Sequence, residues 1–310
     1  NKINDLLLKL NNGDLKTLNI SSNEVKKIKI SQVLTKYKLK SISKIFVIGG
    51  GTIIDFSKRI RKEIEDNTKN QIELYVIPSR IGSGAESSWA SIVNYSHEKN
   101  IKVNNRFLPS GVIYYTKLYR SLSHLDLLEG SIDAIAHCIE STMSFNKNSY
   151  LDFLSIQTIK YIVEEQLINK LINNKIDEDN DLINLSILSF NGGTAQNNAG
   201  SGICHALAHT AEAMTGLDHA KCIAYFFNPV VSYLQLSENM FNKNFNPQTI
   251  QLLCKIPKKV KSFISFAELD KIIKNKKDLA EFINKAKKDP CWRLHKNRID
   301  CEILMKQLQR

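Results

Sequence analysis

Residues 44–78, KIFVIGGGTIIDFSKRIRKEIEDNTKNQIELYVIP, restrict the fold more tightly than any other part of the chain. The run KIFVIGGG (44–51) is strand-like and ends in glycines. TIIDFSKRIRKEIED (52–66) then sets Ile53, Phe56, Ile60 and Ile64 at helical spacing, and IELYVIP (72–78) is a second apolar run stopped by Pro78. Strand, helix and strand in that order predict a parallel sheet with helices on its faces.

The character changes after about residue 124. SLSHLDLLEGSIDAIAHCIESTMS, YLDFLSIQTIKYIVEEQLINKLI and DLINLSILSFNGGTAQNNAGSGICHALAHTAEAM are long segments of 3.6 period with scarcely any strand signal. At 310 residues the chain exceeds a typical single domain, and 43% hydrophobic content is ample for a core. The expected fold class is α/β plus all-α. A Rossmann-like parallel-sheet domain spans 1–124, and a helical domain spans 125–310. Ligand sites favour the crevice between two such domains.

Bulk properties exclude several function classes. The longest apolar stretch, IAYFFNPVVSYL (223–234), is broken by Asn228 and Pro229 and is too short to span a bilayer. No leader-like pattern opens the chain, but it starts at Asn1 rather than Met, so the first domain is expected to be N-terminally short or incomplete. Six cysteines without a CxxC pair read as reduced thiols of a cytoplasmic protein. The net charge of +12 comes from dispersed lysines without an aromatic-rich basic motif, which argues against nucleic acid. The densest runs, KIPKKVK (255–261) and KNKKDLAEFINKAKKD (274–289), read as solvated helix faces.

Two glycine-rich loops and one histidine cluster can carry chemistry. In IGGGTIIDFSK, glycines between strand and helix allow close backbone approach, and the N–H groups opening the helix form an anion site. Thr52 and Asp55 stand at capping-box spacing, with Asp55 alternatively facing a ligand. Neither standard nucleotide fingerprint is met. PSRIGSGAESS (78–88) follows the next strand and suits a loop that wraps a polar ligand. In SIDAIAHCIES, Asp133 and His137 sit at i and i+4 on one helix face. His205 and His209 share another face, and His219 follows beyond Gly216, where the chain can turn back. A carboxylate with two or three imidazoles suits Zn²⁺ or Fe²⁺. Such residues on apolar segments are costly to bury without a partner. Spacing does not choose between His209 and His219 as the fourth ligand, though taken alone it favours the His205 and His209 pair.

GGGTIIDFSK, IPSRIGSGAES, DAIAHCIES and AGSGICHALAHTAEAMTGLDH, in this order, resemble the iron-containing (group III) alcohol dehydrogenase family, within the dehydroquinate synthase-like superfamily. The resemblance covers about residues 40 to 235. It implies Asp133, His137, His205 and His219 as ligands of one divalent ion, Fe²⁺ or Zn²⁺, with His209 beside it in proton relay. It implies NAD or NADP lying across Gly50, Gly51, Thr52, Asp55, Ser79 and Ser83, with Lys102 as a further cofactor contact. The family's usual Thr-Thr is Ser79-Arg80 here, its Asp-Pro is replaced around VIYYTKLY, and its PHG reads DHA (218–220). The first strand and turn, where the family usually carries an acidic residue for the adenosine ribose, are expected to be absent or shortened.

The expectation is therefore a metal-dependent, NAD(P)-linked oxidoreductase that interconverts an alcohol and an aldehyde or ketone. The substrate is a sugar acid or another small polar molecule. The expected state is a cytoplasmic homodimer without membrane or nucleic-acid partners. Two rivals stand beside it. One is a dehydroquinate-synthase-like cyclase or lyase that uses NAD without net redox change, and a fourth protein ligand argues against it. The other is a non-catalytic metal-binding relative.

Overall fold

The computed structural model describes residues 18–25, 30–37, 42–95, 98–176 and 179–310. The expected shortening at the N-terminus lies outside the described residues. The chain divides into two compact units. One holds the described residues up to Arg80 together with Ala85–Leu122, and the other holds Ile81–Gly84 together with Ser123–Arg310.

In the first unit, β1 (Lys44–Gly49), β2 (Glu73–Pro78) and β5 (Gly111–Val112) form a parallel sheet in the order β1-β2-β5. Helix α1 (Gly51–Thr68) makes the crossover from β1 to β2 and ends where Lys69 adopts a left-handed φ of 61°. Its apolar face splits two ways. Phe56, Ile60 and Ile64 join Val25, Val33, Ile72 and Val93, while Ile54 packs with Val47, Leu74 and Val76. Fully burying one such side chain contributes about 1.5–3 kcal/mol.

The same helix buries three cations, which its apolar periodicity does not announce. The Lys58 ammonium donates to Asp55 Oδ1 at 2.8 Å and to the Ala90 carbonyl at 2.7 Å. Arg59 donates to Ser91 Oγ at 2.8 Å and to Asn100 Oδ1 at 2.7 Å. Arg61 donates to the Leu108 carbonyl. Lys58 and Arg59 tie α1 to an antiparallel hairpin, β3 (Ala90–Tyr95) and β4 (Glu98–Val103). The hairpin is not among the elements expected from periodicity.

The second unit is helical, as the sequence predicts. Helix α2 (His124–Met143) starts on a reciprocal capping box between Ser123 and Asp126, and every residue from Leu127 to Met143 is buried. Around it pack α3 (Ser149–Glu164), α4 (Asp179–Ala199) and α6 (His219–Ser237), with α5 (Ile203–Thr215) lying against α6. Helix α6 continues through Pro229. Lysines 255, 258 and 261 of the basic run stand exposed while Ile256, Pro257 and Val260 are buried, the solvated face expected. Among the described residues, no helix is long and apolar enough to cross a membrane.

One local expectation is corrected. The N-cap of α1 is Gly50, so Thr52 lies inside the helix and no capping box forms with Asp55. In the loop after β2, two glycines sit where other elements approach closely. Gly84 has a φ of +61°, and a Cβ there would stand 2.2 Å from Gly193 Cα of α4. At Gly82 a Cβ would meet the Gly130 carbonyl of α2 at 2.6 Å, and the Gly82 N–H donates to Ser189 Oγ at 3.0 Å.

Candidate metal centre

Three helices bring three histidines around Asp133, and the ligand atoms of Asp133, His137 and His205 all lie within 4.8 Å of one another. Asp133 and His137 lie one turn apart on α2, His205 lies in the first turn of α5, and His219 opens α6. From Asp133 Oδ1, the Nε2 atoms of His205, His137 and His219 are 3.4, 3.7 and 3.7 Å away. These separations are long for hydrogen bonds. They suit the edge of a tetrahedron, about 3.4 Å when each ligand stands about 2.1 Å from a shared ion. Asp133 Oδ1 and His205 Nε2 are buried without a hydrogen-bond partner, an arrangement that costs stability unless something sits between them. One carboxylate oxygen and three imidazole nitrogens fit Zn²⁺ or Fe²⁺. Of the four, only His219 is substantially accessible, with 31% of its side chain exposed.

The electrostatics fit that use. Burial pushes the Asp133 carboxyl up, but the surrounding histidines outweigh it and hold the group far below the usual carboxylate range. Burial pushes His137 down to about 3, so this ring is neutral, as a ligand must be. Burial also lowers His205, but Glu140 and Asp133 overcome it and raise that ring to about 9.

His209 takes a different place from the other three. Its Nδ1 is 3.0 Å from Asp289 Oδ2, and its ring lies 5.1 Å from His219 and 6.1 Å from His205. His219 thus lies nearer the Asp133 oxygen, and His209 pairs with Asp289 alongside. Burial pushes Asp289 up, yet the contact with His209 and the Cys291 N–H hold it below its ordinary value.

Sequence reasoning missed Glu140. This buried carboxylate accepts from the Gly202 N–H at 2.9 Å, the Cys204 N–H at 2.5 Å and His205 Nδ1 at 2.5 Å. It thus serves as the missing cap of α5, whose own N-cap residue Gly202 has no side chain to offer. A Cβ at Gly202 would lie 3.0 Å from Glu140 Oε1, so glycine leaves room for the carboxylate. Holding Nδ1–H on a carboxylate fixes the His205 ring with Nε2 on the Asp133 side, where a bound ion would displace the Nε2 proton. The signal was present: Asp133, His137 and Glu140 fall at i, i+4 and i+7 among the apolar residues of IDAIAHCIE. Asp289 was missed too.

The nicotinamide-side expectations are placed as follows. Gly50 caps α1 without a side chain, leaving the first-turn N–H groups at Gly51 and Thr52 without a side-chain cap. The Ser79 N–H donates to the Gly49 carbonyl at 3.0 Å, and Arg80 lies over Gly50, its Cδ 3.6 Å from where a Cβ would be. Asp55 is buried, with Oδ1 held by Lys58 and Oδ2 accepting from the Ile92 N–H at 2.9 Å. Its carboxylate thus joins α1 to the hairpin. Lys102 stands exposed on β4, and Ser83 is exposed in the segment that packs with the helical unit.

The sequence profile of the Fe-containing alcohol dehydrogenase family, C-terminal, matches residues 127–294. The chain is similar to the 4-hydroxybutyrate dehydrogenase of Clostridium kluyveri, 24% identical over 70% of this chain and 62% of that protein. It is also similar to the probable alcohol dehydrogenase EutG of Escherichia coli, 25% identical over 61% of this chain and 51% of that one. The chain thus covers less than two thirds of the length of either relative. Among solved structures, the fold resembles the sulfoacetaldehyde reductase of Bifidobacterium kashiwanohense in complex with NAD+. The TM-score is 0.77 at 15% identity, covering 99% of this chain and 86% of that one. The iron-containing alcohol dehydrogenase of Thermococcus thioreducens gives a TM-score of 0.73 at 17% identity, over 90% and 80%.

Proposed function

The chain belongs to the Fe-containing alcohol dehydrogenase family, and on that premise we propose that it is a metal-dependent, NAD(P)-linked oxidoreductase interconverting an alcohol and an aldehyde or ketone. One observation carries the proposal: three imidazole nitrogens surround the partnerless Asp133 oxygen at 3.4 to 3.7 Å. Asp133, His137, His205 and His219 would hold the ion, and a divalent cation there supplies Lewis acidity toward an alcohol or carbonyl oxygen. His137 and His205 form the buried floor, Glu140 orients His205, and the partly exposed His219 marks the side from which a small molecule arrives. His209, beside that side, has an imidazole suited to moving a proton near neutral pH.

The unit built on β1, α1 and β2 is the dinucleotide-binding part of this proposal, and the helical unit is the metal-holding part. Backbone N–H groups opening α1 favour an anionic group, and the Arg80 side chain beside Gly50 adds a cation there. Ser79, Ser83 and Lys102 remain proposed contacts, and Asp55 acts by fixing the helix. NAD and NADP both suit this arrangement, and a nicotinamide would exchange the hydride. The relatives named above are dehydrogenases and reductases, which favours net redox chemistry over a cyclase. A cytoplasmic homodimer completes the proposal.

The test uses two variants. His219→Ala is expected to lose bound zinc or iron, measured by elemental analysis, together with NAD(P)-linked oxidation of 4-hydroxybutyrate and 1,3-propanediol. His209→Ala is expected to keep its metal. Full turnover in a metal-free preparation overturns the proposal.

A further inference from the structure

The contact between His209 and Asp289 ties the metal-site helix α5 to a residue 80 positions later in the chain. Both side chains are largely buried, with 19% and 16% exposed. Asp289 is the N-cap of the short helix Pro290–Leu294, where its Oδ1 accepts from the Cys291 N–H at 2.8 Å. The cap fixes the rotation of the carboxylate, so Oδ2 is left facing His209 Nδ1 at 3.0 Å. An ionised carboxylate only accepts. A proton therefore sits on Nδ1, and in the neutral ring Nε2 carries the lone pair.

Resting on the dehydrogenase proposal above, we infer that Asp289 is a positioning residue for catalysis: it locks His209 in the Nδ1–H tautomer, so that Nε2 exchanges the proton of the reacting hydroxyl group. In the oxidation direction the hydroxyl O–H bond breaks and its proton passes to Nε2. The carbon-bound hydrogen leaves as hydride to the nicotinamide, which is reduced as the alcohol is oxidised. Reduction runs the same transfers backwards. His209 is suited to this because it lies four residues beyond His205 on α5 and next to the accessible His219. It is near the four converging groups without being one of them.

The test is Asp289→Asn, in which an asparagine oxygen still caps the short helix. Its amide can donate to Nδ1 and so favours the opposite tautomer. Zinc-loaded, ¹⁵N-histidine-labelled protein is compared by NMR, with the His209 signals assigned by their loss in His209→Gln. The wild type is expected to show Nδ1–H, and Asp289→Asn to show Nε2–H or a mixture. With equal zinc content, kcat is expected to fall by about 10²–10⁴-fold, the range of a misplaced general base, with KM nearly unchanged. Asp289→Glu is expected to recover the tautomer and part of kcat. An Nε2–H wild type, a tautomer that ignores Asp289, or an unchanged kcat overturns this inference. A wild type that holds zinc and the Nδ1–H tautomer but turns over neither 4-hydroxybutyrate nor 1,3-propanediol overturns the dehydrogenase proposal instead.

Discussion

Replacing Glu140 with glutamine separates the fold of the metal-site helix from the metal's own demands. The carboxylate receives three donors, the Gly202 N–H, the Cys204 N–H and His205 Nδ1–H, and a glutamine offers one oxygen and an NH₂ group to the same three. At least one buried donor then faces another donor, at a cost of about 1–3 kcal/mol. That part is read without metal, by urea unfolding of the helical unit. The second part concerns zinc. Losing a carboxylate behind a histidine ligand weakens metal binding by about 10–100-fold. An opposing effect is built in, because Glu140 also helps hold the His205 proton that a cation must displace. Above pH 9 that proton is gone from the wild type, so the orienting effect stands alone and the full loss is expected. At neutral pH the difference between variant and wild type shrinks. The assay is competition against a zinc chelator at both pH values. Equal zinc affinity above pH 9, together with an unchanged urea midpoint, would refute the reasoning.

Two further predictions follow from single positions. In the metal-free protein, burial lowers His205 but Glu140 and Asp133 raise it to about 9, so below that pH the ring is charged and must release a proton to bind zinc. Zinc affinity therefore falls as pH falls, about tenfold per unit for one proton. His137, already pushed to about 3, adds nothing to this slope near neutral pH. Calorimetry at pH 7.5 in buffers of different ionisation enthalpy should count proton release, and finding none contradicts the assignment. Gly84→Ala places a Cβ 2.2 Å from the Gly193 backbone at a φ of +61°, and should destabilise the protein by about 2–4 kcal/mol. Gly216→Ala, at a φ of +70° with nothing within 4 Å, is the control, with a loss of about 1 kcal/mol in the same urea titration.

What the sequence made legible was local. β1, α1 and β2 could be read because strand runs, glycines and a helical period each act within a few residues, and the observed bounds follow them closely. The Asp133 and His137 pair could be read for the same reason, since i and i+4 share a face on any helix. The hairpin at 90–103 was missed because it is held by Lys58 and Arg59, cations from a helix more than thirty residues away, rather than by its own alternation. The position of His219 was hidden from the sequence for a similar reason. His205 and His209 stand one turn apart by periodicity alone. His219 reaches the same point only because the chain turns at Gly216 and α6 packs beside α5.

Glu140 and Asp289 mark the far end of this scale. Glu140 meets its partners 62 to 65 positions away, and Asp289 meets His209 80 positions away. Glu140 bonds the His205 ring and Asp289 the His209 ring across these separations, so no short motif spacing reveals either. Their burial is nonetheless a sequence-level clue. A carboxylate on the apolar face of a helix, or one capping a helix end beside a histidine-rich segment, needs a donor to offset its desolvation. In this chain the donors nearest to hand are the site's own imidazoles, so carboxylates on buried faces were the residues to search once the histidines had been found.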